Sequence, residues 1–108
     1  MSFFSASHSD SNELETEGVD CNASTTTASL YINGNTNVGL YVYAASGTHG
    51  THVTTKQFSM DGSTWQDSTY TVAGTGFVEG TTVSSYIRAK ITTVESASST
   101  CDIHIASK

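Results

Sequence analysis

The 108-residue chain has no proline and only four Lys or Arg, and charged residues make up 13% of it. Without proline, the turns fall to Gly, Asn, Asp and Ser. Too few cations are present for the basic stripe that nucleic-acid or anionic-membrane binding needs. Neither nucleic acid nor membrane is therefore an expected partner. The longest apolar run, Leu40 to Ala45, is far short of the roughly 20 residues of a transmembrane helix. No window has helical periodicity. No Gly-x-Ser-x-Gly elbow occurs, and no Gly-rich phosphate loop opens a helix, so the chain is not expected to be an enzyme. The only cysteines, Cys21 and Cys101, form no CxxC pair, and no zinc site is expected from them.

What is present is hydroxyl. Ser and Thr together account for 35 residues, and they favour turns and strands respectively. The length allows one domain, which buries roughly 65% of the surface of its unfolded chain. Net charge is −6, and Asp10, Glu13, Glu15, Glu17 and Asp20 carry most of it. Residues 1–20 therefore read as an acidic arm, with Phe3 and Phe4 as apolar anchors. The arm is either unstructured or orders on a partner.

Residues 21–108 read as short strands separated by turns. Thr25 to Ile32 places Ala28, Leu30 and Ile32 on one face. Val38 to Ala44 alternates Val38, Leu40 and Val42 against Gly39, Tyr41 and Tyr43. Ala45 to Gly50 reads as a loop. Thr51 to Met60 and Thr64 to Ser68 form a hairpin, and Thr69 to Ala73 is a short strand or edge. Breaks are expected at Gly74 to Gly76 and at Gly80. Val83 to Val94 sets Ile87, Ala89 and Ile91 against Tyr86, Arg88 and Lys90. Thr100 to Ala106 sets Cys101, Ile103 and Ile105 against Asp102, His104 and Ala106. The fold expected is all-β: a single antiparallel β-sandwich, Ig-like or jelly-roll-like, with an extended N-terminal arm.

The hairpin Phe58 to Trp65 turns at Asp61-Gly62, a type I′ signal. The Asp61 carboxylate is expected to cap the turn, and Trp65, the sole Trp, to anchor the core beneath it. The Ser59-x-Asp61-Gly62-x-x-Trp65 spacing resembles the hairpins of discoidin-like domains. It also resembles the sialidase Asp-box, which has one more residue between Asp and Gly. Cys101 falls on a buried face. It and Cys21 are two buried thiols or a disulfide tying the first strand to the last. His49 and His52 share a loop and could hold an ion between them. No carboxylate or cysteine lies close in sequence to complete the set, and no metal or cofactor is expected.

Three segments together resemble small virion proteins of tailed bacteriophages: Phe58 to Trp65, Tyr86-Ile87-Arg88-Ala89-Lys90 and Thr100 to Ile105. The resemblance covers roughly residues 38–106 and implies a non-enzymatic structural role. A capsid decoration (cement) protein fits it best, synthesised in the host cytoplasm and carried on the virion surface. Its expected partners are the major capsid protein and copies of itself, as a homotrimer. Phe3, Phe4, Glu13, Glu15, Glu17, Tyr41 and Tyr43 are the expected contact residues. The alternative is a tail-fibre or surface carbohydrate-binding module, in which Tyr41, Tyr43 and Tyr70 stack on sugars. The opening Met1-Ser2-Phe3-Phe4 lacks a basic start and an extended apolar region, so it does not read as a signal peptide.

Overall fold

A row of alternating side chains needs a partner row to cover its apolar half, and the described residues form eight strands. The structure, a computed structural model, describes residues 12–32 and 34–108. Its strands are β1 (Asn12–Asp20), β2 (Leu30–Tyr31), β3 (Asn37–Gly47), β4 (Val53–Ser59), β5 (Gln66–Ala73), β6 (Gly76–Thr81), β7 (Tyr86–Thr93) and β8 (Ser99–Ser107). No helix forms among the described residues. Phe3 and Phe4 lie outside them.

Two four-stranded antiparallel sheets pack face to face, in the orders β1-β8-β3-β6 and β2-β7-β4-β5. The pairs β1·β8, β2·β7, β3·β6 and β4·β5 are those of one long hairpin wound over a sandwich. That is jelly-roll order, and it resolves the two architectures left open by the sequence. The core is aliphatic: Leu40 and Val42 of β3, Ile87, Ala89 and Ile91 of β7, and Cys101, Ile103 and Ile105 of β8 belong to one buried cluster. Burying each large aliphatic side chain contributes about 1.5–3 kcal/mol.

Several expectations change. Residues 12–20, expected in the acidic arm, belong to the sandwich as strand β1, so the sandwich does not begin at residue 21. The alternation Glu13-Leu14-Glu15-Thr16-Glu17 has the strand period, with Leu14 packed against the core and all three glutamates exposed. Charges suit an edge strand because they discourage pairing with further chains. Gly18, at φ 66°, sits in a bulge opposite Asp102 and donates its N–H to that carboxylate at 3.0 Å. The bulge returns Val19 to the core.

Residues 25–32 pair only in part. Leu30 and Tyr31 form β2, Thr26 makes an isolated bridge to Lys90, and Ala28 is exposed. Strand β3 runs on to Gly47 through the expected loop, with a register shift between Ala44 and Ser46. Strand β5 is continuous from Gln66 to Ala73, and β6 crosses the break expected at Gly80.

The β4–β5 hairpin exists, but residues 60–65 connect it rather than a two-residue turn. Asp61 organises this connection. Its Oδ1 accepts the N–H groups of Ser63 and Thr64, both at 2.8 Å, and the Ser59 hydroxyl at 3.0 Å. These donors hold the carboxyl at about 2, led by the Thr64 N–H. Gly62 adopts φ 81°. Trp65 is not beneath the turn. It is half-buried, outside the core cluster, with the Arg88 guanidinium 4.3 Å from its ring centroid. A cation held on that outer face keeps the indole there.

Tyr70 closes one edge between the sheets. Its hydroxyl donates to the Thr81 carbonyl at 3.2 Å and accepts the Thr81 N–H at 3.3 Å. Its ring occupies the space beside Gly80, where an added Cβ would lie 2.3 Å from Tyr70 Cζ. Beneath it, the Lys56 side chain is fully buried and its Nζ lies 4.8 Å from the Tyr70 ring centroid. Burial lowers this amine to about 8 from its ordinary 10.5.

Three outcomes are expected. Gly80→Val loses about 1–3 kcal/mol in urea denaturation, because a side chain there displaces Tyr70. The Asp61 contribution is complete above the unfolded-chain carboxyl value and is lost as pH falls towards about 2. Asp61→Asn should therefore remove part of the acid dependence of stability. Between pH 8 and 10.5 the unfolded chain keeps the Lys56 proton that the folded chain has released. Stability should rise with pH across that window, and Lys56→Met should abolish the rise.

Candidate binding face

The outer surface of the β1-β8-β3-β6 sheet gathers most of the expected contact residues. The strand period that sends Leu40 and Val42 inward sends Gly39, Tyr41 and Tyr43 outward. Register then fixes their neighbours. Tyr41 lies opposite Phe77 on β6 and His104 on β8, and Tyr43 lies opposite Asp102. Glu13 and Glu15 border the same face on β1, opposite Ala106 and His104.

Three rings make a strip across it. Tyr41 and Phe77 stack with centroids 5.4 Å apart and planes at 14°, and Tyr41 and Tyr43 lie 6.4 Å apart at 17°. Tyr43 is 51% exposed and Phe77 64%. The Tyr41 hydroxyl donates to Glu79, and this bond raises the phenol above its ordinary value of 10.0. It also fixes the central ring in place. Gly39 makes the strip possible, because an added Cβ would lie 3.0 Å from Tyr41 Cε1. With Ala106 beside it, the small residue leaves a shallow cleft of about 450 Å³, bordered by Tyr41, Glu79 and Lys108.

The face is acidic. Glu13, Glu15, Glu79 and Asp102 surround the rings, and His104 Nε2 lies 2.9 Å from Glu13 Oε1. Such an exposed pair contributes about 0–1 kcal/mol. Planar apolar rings with carboxylate acceptors at their border can stack on a flat or apolar partner and take hydrogen bonds from it. Tyr70 is absent from this face, since it lies half-buried between the sheets. Phe77 was missed by sequence reasoning. Its strand is short and holds two glycines, which masked the alternation of Phe77 and Glu79 against Val78 and Gly80.

At one end of the sandwich a second group assembles. Cys21 and Cys101 are both buried thiols, with Sγ atoms 2.9 Å apart. Burial, followed by the contact with Cys21, pushes the Cys101 thiol well above its ordinary value. His49 and His52, which had no expected fourth or third ligand in sequence, lie beside them. The ligand atoms of Cys21, His49 and His52 are within 4.8 Å of one another. His52 is fully buried, and burial lowers its imidazole below the ordinary value. Glu95 anchors this loop by accepting the N–H groups of Thr51 and His52 at 2.9 and 3.1 Å. Those donors, with the Thr51 hydroxyl, lower its carboxyl to about 2.

No family model matches the sequence, and no curated protein matches it. Solved structures do share the fold. The SPBc2 prophage-derived protein YomS is similar with a TM-score of 0.59 at 4% identity, over 91% of this chain and 95% of its own. The PBSX exported protein XepA is similar with a TM-score of 0.61 at 12% identity, over 90% of this chain, which spans 36% of XepA. FlhE is similar with a TM-score of 0.50 at 12% identity, over 90% of this chain and 93% of its own.

Because the strip lies outside the core, Tyr43→Ser and Phe77→Ser should each change stability by only about 0.5 kcal/mol. Thermal denaturation of each variant checks this, and a larger loss would make the strip part of the fold's support.

Proposed function

We propose that this chain is a non-enzymatic structural protein of a tailed-phage particle. In this reading it is a capsid decoration protein that docks on the head through the outer face of β1-β8-β3-β6. The observation that carries the proposal is the exposed strip Tyr43–Tyr41–Phe77 on a rigid, otherwise polar sheet. Exposed aromatic residues with fixed geometry supply contact area at little entropic cost, and they concentrate at the centres of protein interfaces. The fold likeness to YomS, a prophage-derived protein, supports a phage setting. Jelly rolls also serve in viral shells, an argument from fold analogy alone. Self-association as a homotrimer would match the local three-fold axes of a shell. The major capsid protein is the proposed partner.

One observation favours a second reading. The near-parallel, exposed rings beside a cleft of about 450 Å³, bordered by Glu79, also suit stacking on a sugar ring. In that case the chain is a surface carbohydrate-binding module.

Co-sedimentation of the purified chain with undecorated heads of its own phage distinguishes the two. The decoration reading expects saturable binding that the Tyr43→Ser, Phe77→Ser double variant loses. Heads that sediment without the chain contradict it. Binding to a glycan array, lost in the same variant, would establish the second reading.

A further inference from the structure

We propose that Cys21, His49, His52 and Cys101 form a tetrahedral zinc-type site at one end of the sandwich. These residues come from four separate places: the segment after β1, two positions of the β3–β4 loop, and β8. Three of the ligand atoms, those of Cys21, His49 and His52, lie within 4.8 Å of one another, and the fourth, Cys101 Sγ, is 2.9 Å from Cys21 Sγ but outside that group of three. Ligands around a tetrahedral zinc ion stand roughly 3.3–3.8 Å apart, so the two sulfurs would have to separate and Cys101 to draw towards the imidazoles to admit the ion.

The surroundings hold the ligands as a metal site requires. His49 Nε2 lies 2.9 Å from the Ser46 carbonyl, which fixes a proton on that nitrogen and turns the Nδ1 lone pair towards the cluster. His49 Nδ1 meets His52 Nε2 at 2.9 Å. The loop is tied down on both sides. Glu95 binds Thr51 and the His52 N–H, and the Gly74 N–H donates to the His52 carbonyl at 2.8 Å. Gly74 cannot be replaced by a larger residue without meeting the His49 carbonyl, 2.8 Å from an added Cβ.

The His52 ring also carries an unpartnered nitrogen, other than the one that faces His49. The His52 side chain is fully buried, and its Nδ1 has no hydrogen-bond partner. Buried polar atoms are rarely left unsatisfied in a native protein. A Cys21–Cys101 disulfide accounts for the two sulfurs but leaves the paired imidazoles, His49 half-buried and His52 buried, without a role. A metal accounts for all four side chains. On binding, the two thiols release their protons to solvent, two metal–sulfur bonds form, and each imidazole donates one lone pair. Two thiolates balance a divalent cation, so the buried site is neutral. An N2S2 tetrahedral set selects zinc. Four protein ligands leave no open position, which makes the site structural. It would join β8, the end of β1 and the β3–β4 loop.

The test uses the full chain, purified and kept under reducing conditions, with zinc and cobalt as probes. Elemental analysis should find one zinc ion per chain. Cobalt should give the intense visible bands of tetrahedral coordination together with a thiolate charge-transfer band. A chelator should lower the melting temperature. Cys21→Ser and His49→Ala should each abolish stoichiometric binding, while His104→Ala, on the outer face, should leave it intact. If the ligand variants fail to fold, the thiolate–cobalt band of the unaltered chain decides the matter. The proposal is overturned by a reduced chain that takes up no metal, by an octahedral cobalt spectrum, or by unchanged uptake in Cys21→Ser. A chain that, exposed to molecular oxygen in the presence of excess zinc, forms the Cys21–Cys101 disulfide instead of holding the ion overturns it equally.

Discussion

The inward row of β8 is the element on which the rest of the structure depends. Cys101, Ile103 and Ile105 lie in the one buried cluster with Ile87, Ala89 and Ile91 of β7 and with Leu40 and Val42 of β3. Strand β8 pairs with β1 on one side and β3 on the other, so its register sets that of the whole sheet. A slip of one residue would turn every inward side chain to solvent. The same register places Tyr41 opposite His104 and Tyr43 opposite Asp102. The candidate binding face is thus the reverse side of the core, and its geometry is inherited from aliphatic packing.

The division of residue types follows. Aliphatic side chains fill the interior, and the aromatic ones stand at its margins. Tyr70 seals the edge between β5 and β6, Trp65 lies under Arg88 on the other sheet's outer surface, and Tyr41, Tyr43 and Phe77 form the strip. Ten polar or charged side chains are buried among the described residues. One of them, Lys56, is buried against the Tyr70 ring, and its amine lacks a hydrogen-bond partner. Burying the amine costs stability at neutral pH, and its contact with the Tyr70 ring offsets part of that cost.

Strands with unbroken alternation were legible in the sequence. β3, β7 and β8 carry branched or aliphatic residues every second position, and their inward faces are those the period predicts. β1 was hidden because its alternating partners to glutamate are Leu14 and Thr16, a weak apolar signal in a charged run. β6 was hidden by Gly76 and Gly80, which look like breaks, although Gly80 serves close packing against Tyr70 and Gly76 adopts φ 141°. Trp65 was misplaced because size favours a core position, while the cation of Arg88 two strands away favours the surface. The Cys–His cluster could not be read from spacing at all. Jelly-roll winding brings Cys21 beside Cys101 and carries the β3–β4 loop to the same end.

Cryo-microscopy of the mature phage particle tests the central claim most directly. The account predicts density for this chain on the outside of the head, with the β1-β8-β3-β6 sheet turned towards the shell and Tyr43, Tyr41 and Phe77 at the contact. Density in which that sheet faces solvent, or heads that carry no such density, would contradict it.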